Sequence, residues 1–243
     1  MTAIVALGRF QPWRGYMRLP FSAEQFFDVL RRYNEAVWPA QWLLVALALA
    51  AIVLAFRGSS RGSRVIAGIL AVLWLWMGIV YHLTFFAKIN PAALLFAAAF
   101  VLQAGLVAWM GVWHSQLTFR APSGVRGLLG GVILTYALVA YPLLGQALGH
   151  RYPYAPTFGL PCPTTLFTLG LLLWAVPRAP RLVLVIPILW ALIGTSAAAV
   201  LSVWEDVGLA AVAILVIGAE YRNDRRARGH SASNARRALP KAV

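Results

Sequence analysis

Long apolar runs alternate with short polar breaks along this chain. Seven runs stand out, over residues 42–56, 65–86, 91–113, 127–148, 163–176, 182–200 and 204–217. A bilayer core ~30 Å thick takes roughly 20 residues of helix, fewer where flanking side chains snorkel or the membrane thins. The second, third, fourth and sixth runs reach that length, while the first, fifth and seventh are shorter and lean on amphipathic ends. The pattern predicts an all-α fold, a polytopic membrane helix bundle of seven transmembrane helices. Ahead of it, Ser22 and Gln25 fit a capping box, in which the two side chains satisfy free amides of a first helical turn. Phe26, Val29, Leu30 and Tyr33 then share one helical face, with Glu24, Asp28, Arg31, Arg32 and Glu35 around the rest. This predicts an amphipathic interfacial helix, serving as a passive anchor or as a lid across the bundle mouth. The expected organisation is an N-terminal segment over 1–40, a seven-helix membrane domain over 41–220 and a basic, disordered cytoplasmic tail over 221–243.

Polar punctuation refines the spans. Trp38-Pro39-Ala40, Asn90-Pro91-Ala92 and Cys162-Pro163-Thr164 open three helices in one manner, with proline near the first helical position, where its missing N–H costs nothing. Three similar hairpins with a seventh helix appended would give this pattern; so would convergence on good helix starts. Pro142 and Pro187 should kink their helices unless neighbours satisfy the freed carbonyls. Gln103, Thr135, Tyr136 and Tyr141 lie within spans as helix–helix glue, or, for Gln103 and the two tyrosines, as a polar pocket. Gly194, Thr195 and Ser196 favour close helix contact. The ten tryptophans gather largely near span ends, with Trp74 and Trp76 deeper and expected in the core.

Composition agrees. With 61% hydrophobic and 12% charged residues and a mean hydropathy of +0.74, the chain is too apolar to keep its surface in water. The net charge of +14 does not indicate nucleic acid, because seven of the 21 basic residues lie after Glu220 with no interleaved aromatics. A tail of that kind beside a membrane span attracts anionic lipid. One cysteine excludes an internal disulfide, and Ala3–Leu7 is too short for the apolar core of a cleavable signal peptide.

Charge also orients the spans. Arg57, Arg61, Arg64, Arg120, Arg126, Arg178, Arg181 and the tail's seven make fourteen basic residues on one side, against Lys88 and Arg151 in the opposite loops. The positive-inside rule puts the fourteen in the cytoplasm, with the N-terminus outside and the C-terminus inside. Arg9, Arg14, Arg18, Arg31 and Arg32 oppose that orientation, and nearby acids offset them only in part.

Ionisable groups are scarce within the spans, which disfavours a proton pump, and the polar residues gather toward the expected outer ends. His82 sits about one turn below the end of the second helix and serves as a ligand, a proton carrier or a packing residue. Asn90 reads as a helix cap or a binding group. The long loop from Gly149 to Thr165 is stiff with proline and aromatics, and it brings His150, Cys162 and Thr165 to the same face. Cys162, at a helix start where the dipole favours thiolate, is a nucleophile, a soft-metal ligand or a small residue wedged between prolines. Ser202 and Glu205 again match a capping box, yet Glu205 and Asp206 share the outer face. The candidate ligand-binding set is therefore His82, Asn90, His150, Cys162, Thr165, Glu205 and Asp206. No CxxC, HExxH or paired-histidine spacing names a metal, so no cofactor is assigned.

The stretches Phe21-Ser22-Ala23-Glu24-Gln25-Phe26, Tyr33-Asn34, Trp38-Pro39-Ala40-Gln41, Tyr81-His82-Leu83-Thr84-Phe85-Phe86, Ile89-Asn90-Pro91-Ala92 and Phe158 to Thr165 resemble a bacterial family of multi-pass membrane proteins with no established activity. The resemblance runs from about Met17 to about Tyr221. It implies a bacterial inner (plasma) membrane setting and supplies no catalytic residues. Three functions follow as expectations: a membrane protein binding a small ligand or ion in an outward-facing pocket, for transport, sensing or accessory duty; an intramembrane metal- or haem-dependent redox enzyme using His82 and Cys162; or a structural subunit of a membrane complex or homo-oligomer.

Overall fold

A computed structural model describes residues 19–220. The early stretch over Ala3–Leu7 and the basic tail lie outside the described residues. Among those described the chain is built of helices with no β-strand. Helix α1 (Ala23–Val37) begins at the expected capping box: the Gln25 amide donates to Ser22 Oγ at 3.2 Å and the Ser22 amide to Gln25 Oε1 at 2.8 Å. Its apolar face docks on the end of the bundle, burying Val29, Leu30 and Tyr33 against Tyr81, Phe86, Ala93 and Leu160. Its arginines are locally neutralised, Arg31 by Asp28 and Glu35 at 2.7 and 2.8 Å and Arg32 by Asp28 at 2.7 Å.

Five helices are long and apolar enough to cross a membrane. They are α2 (Ala40–Arg57); α3 (Ser60–Trp76), extended by a π-helical turn over Met77–Leu83 and a 3-10 turn over Phe86–Lys88; α4 (Ala93–Val107), extended by a π-helical turn over Ala108–Trp113; the continuous rod of α5 (Val125–Thr135), a π-helical turn over Tyr136–Ala140 and α6 (Tyr141–Ala147); and α8 (Leu182–Leu201). The two shortest runs differ from expectation. Helix α7 (Pro161–Leu173) has 13 residues, about 20 Å of rise, which is less than a bilayer core. It is the central helix of the bundle: every residue from Pro163 to Leu173 is buried, and it packs between α5 and α8. An apolar helix hidden from lipid on all sides needs no spanning length of its own. The seventh run opens as a 3-10 turn, Trp204–Val207, and α9 occupies 208–220.

The proline rule holds only loosely. Pro39 is the N-cap of α2, Pro91 lies ahead of α4, and Pro161 rather than Pro163 opens α7. Pro142 is the second residue of α6, just past a π-helical turn, while Pro187 sits inside an unbroken α8. Pro187 cannot donate to the Val183 carbonyl four residues back, and that carbonyl accepts instead from Gln103 Nε2 at 2.8 Å. Trp74 is fully buried and donates to Thr168 Oγ1 at 3.1 Å; Trp76 donates to the Tyr33 hydroxyl at 2.8 Å, tying α3 to α1.

Candidate functional site

Where α1 crosses the end of the bundle it leaves a cavity of about 240 Å³ between itself, the far end of α3, the start of α7 and α8. Phe21, Phe26, Leu30, Phe86, Phe96 and Leu160 give it apolar walls. Asn90, Cys162 and Asp206, from three different parts of the predicted set, also line it.

Local folding explains how Asp206 reaches the cavity. Ser202 ends α8 in the left-handed conformation, φ 61°, and the chain reverses into the 3-10 turn. The expected capping box at Ser202 and Glu205 is therefore not formed: Ser202 terminates a helix, and no side chain caps the turn that follows. Two phenols grip the turn instead. Tyr141 donates to Asp206 Oδ1 at 2.5 Å and Tyr136 to the Glu205 carbonyl at 2.6 Å. They stand five residues apart on either side of a π-helical turn, where the Tyr141 amide bonds to the Tyr136 carbonyl. That i→i+5 repeat brings both rings to one face, which ordinary α-helical winding would not do. A Cβ on Gly208 would lie 2.7 Å from the Tyr136 hydroxyl, so only glycine lets the turn close on that ring. Burial pushes the Asp206 carboxyl up to about 7, with the Tyr141 and Cys162 side chains pulling it partly back.

Glu205 points the other way. It has no exposed surface; its Oε1 meets His150 Nδ1 at 2.7 Å and its Oε2 has no hydrogen-bond partner. His150 stacks at 4.9 Å on Phe27 of α1. The pair therefore lies beside the cavity and joins α1, the long loop and the turn.

His82 belongs to neither group. It is fully buried on the π-helical turn of α3, ringed by Tyr81, Phe86, Phe96, Phe100 and Trp190 at 4.7 to 5.9 Å between centroids, and neither ring nitrogen has a partner. It packs behind the cavity wall. Asn90 closes a turn through the Ala92 amide at 3.1 Å. Thr165 is buried on α7 with its hydroxyl unpartnered. Cys162 faces the Asp206 carboxyl rather than a cation, and among the described residues no group of three or more His, Cys, Asp and Glu side chains could hold a metal ion.

Two contributors escape the sequence pattern. Trp190 lines the cavity, is 8% exposed, and its Nε1–H has no hydrogen-bond partner. Its signal was its position near the middle of a span, away from the interfacial belt. Asn34 is fully buried and holds the long loop: its Nδ2 donates to the Pro153 and Ala155 carbonyls at 2.6 and 2.8 Å, and its Oδ1 accepts from Thr157 at 2.6 Å.

Helices apolar enough to cross a membrane, with buried polar side chains at one end, define a helical membrane protein. The chain belongs to DUF6064, a family of unknown function, whose profile matches residues 23–231. No curated protein and no solved structure matches it.

Proposed function

We propose that this is a multi-pass protein of the bacterial inner membrane that binds a small apolar ligand in an outward-facing cavity. The N-terminus lies outside, the C-terminus lies in the cytoplasm, α1 rests at the interface, and α7 and α9 complete seven membrane-embedded helices. The outward-facing assignment rests on the arginine asymmetry between the loops. The ligand assignment rests on one observation: a cavity walled by aromatic and aliphatic side chains, with a few convergent polar groups at one end, between the docked α1 and the bundle. Transport, sensing and accessory roles all begin with such binding.

The test is photolabelling of the purified protein in nanodiscs with an alkyl-diazirine chain, followed by peptide mapping. Wild-type protein should show saturable labelling on Phe96, Trp190 or Ile193. Ala197→Phe, which fills the cavity from a half-buried position on α8, should remove that component while leaving the melting temperature within a few degrees of wild type. Labelling that never saturates, or that is indifferent to Ala197→Phe, would show a lipid-facing crevice and end the proposal.

A further inference from the structure

Within the apolar cavity the polar groups lie close together. Gly194 brings two of them into one place: a Cβ built on it would sit 3.5 Å from Cys162 Sγ and 3.8 Å from Trp190 Nε1. Cys162 in turn interacts with the Asp206 carboxyl. One end of the cavity thus offers the Trp190 indole N–H, which lies beside Cys162 without completing a hydrogen bond, near an acceptor, the Asp206 carboxyl, whose Oδ1 already accepts from Tyr141. An indole N–H buried to nine-tenths and left unpaired is an expensive arrangement unless something fills it.

The head group must suit both. A carboxylate or phosphate can accept from Trp190 but is repelled by Asp206. A quaternary ammonium would be drawn to Asp206 and to the aromatic walls but cannot accept from the indole, and so leaves the Trp190 N–H unpaired. A hydroxyl does both at once, accepting from Trp190 and donating to Asp206. We infer that the cavity takes a neutral amphiphile with a terminal hydroxyl on an alkyl or prenyl chain, held at its head between Trp190 and Asp206. This rests on the ligand-binding proposal above and specifies its chemistry. Among the described residues no lysine or arginine forms an ion pair with Glu205 or Asp206, and His150 is held by Glu205 beside the cavity, so anionic head groups are expected to be disfavoured.

The experiment uses the full chain in nanodiscs in mildly alkaline buffer, labelled by a decanol that carries a diazirine on its tail. Unlabelled 1-decanol, decanoate and decyltrimethylammonium compete. Decanol should displace the probe at concentrations about tenfold below either charged competitor. Trp190→Phe, which keeps the ring and removes the donor, should weaken decanol about fivefold. Asp206→Asn should raise the relative strength of decanoate about tenfold, an effect that mere loosening of the fold would not produce. If the probe labels the cavity saturably but decanoate or the ammonium competes as well as decanol, the hydroxyl assignment fails and the apolar-ligand proposal stands. If none of the three competitors displaces the probe from wild type, both fail.

Discussion

Asn34 shows how much one buried amide can organise. It offers two donors and a carbonyl oxygen, and all three are used on the loop from Pro153 to Thr157. Its own backbone carbonyl accepts from Gln41 at 2.9 Å and Tyr152 at 3.3 Å. Helix α1, the start of α2 and the long loop therefore meet at one residue. Asn34→Ala would strand two backbone carbonyls and a threonine hydroxyl in a buried site. The expected cost is about 2–4 kcal/mol, since each abandoned group forfeits its net bond and part of its solvation. Thermal unfolding in detergent should show the loss, and hydrogen exchange should show it concentrated over 150–160 and α1. Asn34→Asp keeps the acceptor and loses both donors, so it should fall close to alanine. If Asn34→Ala melts like wild type and exchange over that loop is unchanged, the hydrogen bonds are not what holds α1 down.

At the level of elements, α8 depends on α4. Pro187 frees the Val183 carbonyl, and Gln103 reaches across to satisfy it. Gln103→Leu should then cost about 1–2 kcal/mol in the native chain. In a Pro187→Ala background the residue-187 amide can close the helical bond itself, and Gln103→Leu should cost little or nothing. A coupling of about 1 kcal/mol in this cycle is the expected result; additive effects would mean that the amide acts only as volume. The need for such a partner was legible in the sequence, because a proline inside a span leaves a carbonyl open; which residue answers depends on the packing of α4 against α8. The same division holds elsewhere. Apolar periodicity marks every helix to within a few residues, and the Ser22–Gln25 box is where its residue types put it. The π-helical turns leave no trace in hydrophobic pattern, yet one of them brings Tyr136 and Tyr141 onto one face. The pattern at Ser202–Glu205 misled because a local capping signal competes there with tertiary partners, the phenols and His150, that only the fold brings near.

Viewed as a whole, the molecule is apolar on its outside as well as in its core. Leu43, Leu49, Val72, Leu95, Leu102 and Val132 are exposed around the outside, while Gln103, Thr164 and Thr168 are buried within. Water would oppose that surface and lipid would favour it. The two ends of the bundle also differ in charge. At one end, Arg120 reaches the Gly58 carbonyl at 3.4 Å, Arg126 reaches Pro177 at 2.8 Å, and Arg64 reaches Ser115 at 3.0 Å. Three arginine-bearing loops are thereby gathered into one rim. At the other end lie Asn34, His150 and the cavity, and Arg31 and Arg32 of α1 are paired there with Asp28 and Glu35. Arg31 beside Asp28 holds that carboxyl below its ordinary range. Local acids thus discount those positive charges, which leaves the arginine excess of the opposite rim as the basis of the proposed orientation. In a Cys162→Ala chain, Tyr154→Cys should react with an impermeant maleimide added to intact spheroplasts, whereas Arg178→Cys should react only after the membrane is opened. Equal reaction of both before opening would mean that the two rims share a compartment, and the cavity could not then face outward from a cytoplasmic arginine rim. Reaction of Arg178→Cys alone would invert the protein and turn the cavity toward the cytoplasm, where the supply of hydroxyl-bearing amphiphiles would have to come from the inner leaflet.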